Sequence, residues 1–373
     1  MLAEDRHRAI IETVRTRGSV TVRELAAELD VAAVTIRNDV RELARRGTVN
    51  RVHGGVVWPE EERGEPDVPA EPPAGAPPVA EGRTPPRARP VVSPAASGHV
   101  YSVGMVVPHS SYYYPEVVAG AREAADALGV KLTLGVSRNA FAEERALVAD
   151  MVRAEADGLL VTTAEDPRTS PDTEAWLRGL PLPVVLTERR VGLDSGAAES
   201  VATDHEYGAH LAVRHLVERG RSRIALLCFD TLTAPMLQTG YERALHTLGL
   251  RPCPPEVPTR LDENDRSDLD AKCEQLVRAV RNGQVDAVLV HNDSIALPLA
   301  SRLRAAGLRI PEDLVVVAYD DELAGLADPP LTGVAPPRRA VGAEAVELLV
   351  RRLREPSRPV HHLTLRPTLN VRS

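Results

Sequence analysis

The sequence predicts two folded parts. One is a small, mainly α head built as a winged helix-turn-helix. The other is an α/β body of two lobes, each a doubly wound parallel sheet. Three observations lead there. The 373-residue chain is too long for one ordinary domain. A break at residues 59–98, with eleven prolines among forty positions, divides it. Beyond that break, short β-branched runs alternate with helical patterns to the end of the chain.

In the head, residues 1–58, the apolar positions Ile10, Ile11 and Val14 mark a first helix that Gly18 breaks. Thr21-Val22-Arg23-Glu24 fits a capping box, with the Thr21 hydroxyl capping a second helix and Glu24 reaching back. Leu25, Ala26 and Leu29 continue its buried face. Asp30-Val31-Ala32 is a short turn, and a third helix runs over 34–46 until Gly47 stops it. Val34, Ile36, Val40 and Leu43 face inward, which leaves Thr35, Arg37, Asn38 and Arg41 outward. Two short helices joined by a tight turn, the second presenting polar and basic groups, have the geometry that enters a DNA groove. Residues 48–57 read as a β-wing, with Arg51 and His53 near a phosphate backbone and Gly54-Gly55 at the turn. The head's charge is only +2, from 10 Arg against 8 Asp and Glu, so tight DNA binding calls for two heads and a homodimer or higher oligomer.

The Pro-rich stretch at 59–98 has almost nothing large and apolar to bury and is expected to be an extended or disordered linker. After it, strands are predicted at 101–107, 131–136, 158–163, 183–187, 223–229, 287–291 and 314–319. Helices are predicted at 115–128, 142–155, 206–219, 269–281 and 294–306. Near-continuous apolar strands mean a sheet covered on both faces, and so many units imply two sheets with a cleft between them.

Composition narrows the class. Hydrophobic residues at 43% and charged residues at 26% are globular proportions. The longest apolar runs, such as 314–318, fall far short of the roughly 20 residues a bilayer helix needs. The charged start (Glu4, Asp5, Arg6, Arg8) holds no secretory signal, and Cys228, Cys253 and Cys273 form neither a disulfide framework nor a metal pattern. A cytoplasmic protein is expected. The net charge of −8 argues against a generally basic coat while leaving room for a local patch. Only Lys131 and Lys272 among 45 basic residues are lysine, so a raw arginine count says little.

The motifs TIRNDVRELARRG and RVHGG, within a match that spans nearly all of residues 6–55, resemble the DeoR-type winged helix of bacterial transcription regulators. Two positions depart from its usual pattern. Ala32 stands where a serine commonly opens the recognition helix, and Asn38, which reads adenine where arginine prefers guanine, follows Arg37. The body is similar, over residues 100–373, to the LacI/GalR-type sensor, a periplasmic-binding-protein-like fold. The blocks that carry this likeness include YSVGMVVPHSSYYYPEVVAGAREAADALG, AVLVHNDSIAL and GLRIPEDLVVVAYDDELA. The likeness implies three chain crossings between lobes, placed near Ala202, Pro337 and Pro356. Lobe 1 is then 100–202 with 338–355, and lobe 2 is 203–337 with 356–373.

The resemblance also implies the ligand-binding residues: Ser110, Ser111, Tyr113 and Tyr114 after the first strand, Glu188 after the fourth, Asn292 in HND and Asp320 in YDD. Carboxylates and amides suit paired hydroxyls, and tyrosine rings suit an apolar sugar face. Each has a plainer role open to it. The tyrosines can pack on their own helix, and Asn292 and Asp320 can simply cap turns. Sugar-responsive members carry an arginine about five residues before the Gly-Tyr pair, and here Pro235 occupies that place. That shifts the expected effector away from a simple hexose, toward a neutral or bulkier apolar-faced molecule. The linker replaces the short minor-groove helix of such sensors, so effector binding is expected to act by shifting head spacing in a dimer.

No catalytic residue, cofactor or metal site is assigned. The sequence has no GxSxG, P-loop or HExxH pattern, and the pairs Asp320-Asp321 and His361-His362 would point to opposite faces of a strand. The expected function is a DNA-binding transcriptional regulator, a repressor by the habit of its family, controlled by a sugar or related metabolite. Activation, or an enzyme acting on a sugar-like ligand, are the alternatives left open by the residues.

Overall fold

In the computed structural model the described residues are 3–17, 19–29, 31, 36, 39–40, 43, 50–52, 55–57, 100–193, 196, 198–255, 257, 260–261 and 266–372. The linker at 59–98 lies outside them. The chain forms two compact units, Met1–Pro86 and Arg87–Ser373.

In the head, α1 (Ala3–Arg17) is followed by a strand, β1 (Ser19–Thr21), and by α2 (Val22–Glu28). Ile36, Asp39, Val40 and Leu43 are helical, as the third predicted helix requires. Ile10, Val14, Val20, Leu25, Ile36, Val40 and Leu43 close one core, so the inward faces read from the sequence meet. The wing pairs β2 (Asn50–Val52) antiparallel with β3 (Gly55–Val57), and β3 also pairs with β1. Gly55 therefore begins a strand rather than completing the turn. Asp39 ties the third helical segment to α1, accepting from Arg6 Nε at 2.8 Å with His7 Nε2 at 3.1 Å. Its burial would raise the carboxyl, but the Arg6 and His7 hydrogen bonds outweigh that and hold it below its ordinary range.

The body has two six-stranded sheets. In the first, parallel strands β4 (Ser102–Val107), β5 (Lys131–Val136), β6 (Gly158–Val161), β7 (Val184–Thr187) and β8 (Glu199–Thr203) are joined by β14 (His362–Leu365), in the order β14-β8-β7-β6-β4-β5. In the second, the order is β10-β9-β11-β12-β13-β15, with β9 (Ile224–Phe229), β10 (Arg260–Leu261), β11 (Ala287–His291), β12 (Val315–Tyr319), β13 (Thr332–Ala335) and β15 (Thr368–Asn370). Only β15 runs antiparallel there. Helices α3 (Tyr114–Leu128), α4 (Phe141–Arg153), α5 (Pro171–Arg178), α6 (His205–Glu218), α7 (Ala234–Thr247), α8 (Arg266–Arg281), α9 (Asp293–Ala305) and α10 (Arg338–Arg354) provide the covering layers.

One sequence expectation is corrected. Residues 356–373 were assigned whole to the second lobe with a crossing near Pro356, but β14 pairs in parallel with β8 of the first sheet, His362 opposite Ser200. The chain crosses only between Leu365 and Thr368, after which β15 pairs with β13. The cause is Glu199, which anchors the segment before β14. Its carboxylate takes Arg352 Nη2 at 3.1 Å, Arg358 Nη2 at 2.6 Å and the His361 backbone N–H at 2.8 Å. α10 returns to lie on α3 backbone to backbone. A Cβ on Gly120 would overlap the Arg339 carbonyl, and one on Gly342 the Val117 carbonyl. Among the described residues no helix is long and apolar enough to cross a membrane.

Candidate functional site

The parallel strands of both sheets end at one cleft of about 850 Å³. Pro108 to Tyr114 follow β4, Asn139 follows β5, Ala164 and Asp166 follow β6, and Glu188 and Arg189 follow β7. From the other lobe come Asp230 to Thr233 after β9, His291 and Asn292 at the end of β11, and Asp320 after β12. This is where ligands of open α/β sheets sit, because the strand ends and helix starts leave polar groups pointing outward.

Six of the seven residues assigned to a ligand line the cleft: Ser111, Tyr113, Tyr114, Glu188, Asn292 and Asp320. Ser110 is exposed and does not line it. Asn292 also has the plainer role, since its side chain accepts the Ser294 N–H at 3.0 Å and caps α9. The adjacent aspartates separate as expected. Asp320 faces the cleft, whereas Asp321 pairs with Arg372 near the chain end.

Two buried carboxylates, one from each lobe, line the cleft. Glu188, 5% exposed, accepts Tyr113 Oη at 2.6 Å, Thr203 Oγ1 at 2.9 Å and the Thr203 N–H at 2.9 Å. Burial pushes it up, and those hydrogen bonds work against the shift. Asp320, also 5% exposed, accepts Tyr112 Oη at 3.1 Å. Burial first, and then the charge of Asp293, push it up to about 7. Consecutive tyrosines on one loop thus serve carboxylates from different lobes. Tyr112 crosses the cleft to do so, and its φ of 60° puts a bulky residue in the left-handed region, as do Glu188 at 53° and Asp320 at 86°.

Around them, His205 Nδ1 lies 3.0 Å from Tyr319 Oη, and burial pulls the ring down to about 3. His291 is likewise drawn down to about 4, so both imidazoles are neutral in the physiological range. Its Nδ1 is buried without a hydrogen-bond partner. Arg189 turns its Nε to the Thr163 carbonyl at 2.8 Å and Nη1 to its neighbour's carbonyl at 2.9 Å. The sequence reading missed Tyr112, Arg189, His205, His291, Asp230 and Thr231. Asp230 and His291 had a usable signal, since Asp230 directly follows and His291 ends a predicted apolar strand. Among the described residues no group of three His, Cys, Asp or Glu is placed to hold a metal ion.

Removing the bridging phenol has a measurable consequence. Tyr112→Phe loses the interlobe hydrogen bond and is expected to lower unfolding free energy by about 0.5–1.5 kcal/mol in urea denaturation. Stability equal to wild type would show that the bond is not made in solution.

In the head, Val34, Thr35, Arg37, Asn38, Arg41 and His53 lie outside the described residues. The backbone of Thr21 closes β1 opposite Gly55, and that of Arg51 sits mid-strand opposite Val56.

Comparison with known proteins adds to this geometry. A DeoR-like helix-turn-helix domain model matches residues 6–62, and a periplasmic binding protein-like domain model matches residues 213–373. The HTH-type transcriptional repressor PurR of Vibrio atlanticus is 31% identical over 281 residues, covering 73% of this chain and 80% of the relative. A solved complex of the transcriptional regulator CelR with cellobiose matches at a TM-score of 0.62 and 28% identity, covering 73% of this chain and 83% of that one. The transcription regulator GntR from Chromobacterium violaceum matches at 0.59 and 25% identity, covering 73% of this chain and 98% of that one.

Proposed function

This chain belongs to the family of the PurR- and LacI-type transcriptional repressors, and on that premise we propose that it represses genes from an operator held by its DeoR-type heads, under control of a small polar effector in the interlobe cleft. The observation that carries the effector half of this reading is the pairing of buried Glu188 and Asp320, from opposite lobes, with adjacent tyrosines. A ligand that replaces the Tyr112 bridge changes how the lobes meet, and reciprocity then requires DNA to alter effector affinity by the same factor. The relatives are regulators rather than enzymes, and catalysis has no part in the proposal. CelR is solved with cellobiose. A sugar-sized polar molecule is a fitting effector class for a cleft of about 850 Å³ lined by tyrosines, carboxylates and amides. The heads are taken to work as a pair, in a homodimer or higher oligomer in the cytoplasm, because one head of charge +2 neutralises few phosphates.

Within the head, Thr21, Val34, Thr35, Arg37, Asn38, Arg41, Arg51 and His53 are the proposed DNA-facing set. The test is selection of fragmented source DNA on the purified full-length protein. An inverted-repeat site is expected, and Arg37→Ala should weaken it by about 1–3 kcal/mol while effector binding stays unchanged. Equal retention of the site by Arg37→Ala would remove that residue from the interface. Recovery of no site by folded wild type would overturn the regulator reading of the head.

A further inference from the structure

The cleft's charges are out of balance. Glu188 and Asp320 are both buried, and among the described residues neither has an arginine or lysine within ion-pair distance. Glu188 is satisfied by neutral donors; the one basic group within ion-pair distance is His205 at 3.8 Å, an imidazole that burial keeps neutral, and the charge of Arg189 acts on it only from farther away. Arg338 opposes the Asp320 charge only from beyond ion-pair distance: it pairs with Glu322 at 2.8 Å, stands 5.3 Å from the Tyr113 ring centroid and donates to the Asp320 backbone carbonyl at 2.9 Å. Asp293, fully buried beside them, adds a third acidic group, and one of its carboxylate oxygens has no hydrogen-bond partner.

The remaining lining does not correct this. Arg189 is the single cation lining the cleft among the described residues, and two of its nitrogens are already turned onto backbone carbonyls. Pro235, which can supply neither charge nor N–H, occupies the start of α7 at the cleft wall. His291, 5% exposed and lining the same cleft, keeps an unpartnered Nδ1. A buried carboxylate is stabilised by donated hydrogen bonds, by protonation or by an opposite charge, and a hydroxyl group supplies a hydrogen bond but does not oppose the charge. An ammonium does, and it donates three hydrogen bonds into a site already rich in acceptors.

We propose that the effector of this regulator carries a positively charged amine seated against Asp320, with Glu188 behind it, making it an amine-bearing polyol of sugar size. The proposal rests on the reading of the cleft as the effector site and changes the neutral, apolar-faced ligand expected from the sequence. Pro235 leaves the cleft without the arginine clamp, as the sequence indicates, and the two carboxylates in the same lining favour a cation over a neutral molecule. The ring hydroxyls of such a ligand meet Asn292, Ser111 and His291, all at the cleft surface.

The test is isothermal titration of the full-length protein near neutral pH with glucosamine, galactosamine and mannosamine, each against its neutral parent sugar and its N-acetyl form. At least one amine is expected to bind about tenfold more tightly than both of its uncharged counterparts. Asp320→Asn should reduce that preference to about twofold or less, and thermal denaturation should show the variant folded and no less stable, since it replaces a buried charge by a neutral group. Equal binding of a neutral parent, an undiminished preference in Asp320→Asn, or no binding by any of the three amines overturns the inference. Release of operator DNA separates this outcome from the broader reading. A neutral sugar that releases the operator removes the amine and leaves the effector-responsive repressor standing. An operator that no fraction of a source-cell metabolite extract releases removes that reading as well.

Discussion

Glu199→Ala is expected to lower the unfolding free energy by about 3–5 kcal/mol, because it removes one partner of a buried ion cluster and leaves the other two charged. Glu199 is 1% exposed at the start of β8, and both of its carboxylate oxygens are engaged by Arg352, by Arg358 or by the His361 N–H. Arg352 also donates to the carbonyls of Pro356, Arg358 and Pro359, so it holds the turn that delivers β14 to its edge position. Without the carboxylate, two guanidiniums remain buried among carbonyl dipoles alone. Besides that anchor, β14 is held by its ladder with β8 and by the half-buried Leu363 and Leu365, its other two residues being exposed. Urea denaturation gives the stability. Hydrogen exchange gives the location, with early loss of protection expected at the β14 amides. A change below about 1 kcal/mol would mean that the cluster is solvated and that β14 is held by its ladder alone.

Glu144→Gln is the second large effect, and its sign depends on pH. Glu144 is fully buried in the first turn of α4, with Oε2 accepting the Ala164 N–H at 2.6 Å and Oε1 without a hydrogen-bond partner. Burial is the main cause of its carboxyl being pushed up to about 7. The folded state therefore holds this proton more tightly than the unfolded chain does. The stability it contributes is complete at low pH and is lost as pH rises from the ordinary carboxyl range through about 7. A shift of that size corresponds to about 3 kcal/mol once the group is ionised in both states. Glutamine keeps an acceptor for Ala164 and carries no charge. The variant should gain about 2–3 kcal/mol over wild type near pH 8 and under about 1 kcal/mol near pH 5, measured by urea denaturation at both pH values. Asp320 titrates with the same sign, so some pH slope remains in the variant. Parallel pH profiles for the two proteins would show that Glu144 keeps an ordinary carboxyl in solution.

The role of Glu199 could not be read in advance. ESVAT does not look like a buried strand, because Glu199 and Ser200 break the apolar run. Only the arginines arriving from 150 residues later make a glutamate tolerable there. Strands β13, β14 and β15 were likewise unread. They are short, β14 and β15 are half-exposed, and their sheet membership depends on which edge a distant strand offers.

What the sequence by itself determined was the division into head and body, the inward faces of the head's helices and seven of the body's strands, the edge strand β5 among them. Parallel strands buried on both faces must be apolar nearly throughout, so runs such as VVVAY and IALLCF announce themselves. The strand pattern implied a cleft at the strand ends, and the resemblance to LacI/GalR-type sensors pointed to Glu188, Asn292 and Asp320, which line it. Only the tertiary structure decided the last crossing between lobes, the reach of Tyr112 to Asp320 and the shortage of cations around two buried carboxylates. Those are sums over groups far apart in the chain, and local pattern records a residue's own solubility and conformational preference but not the charge that will finally stand opposite it.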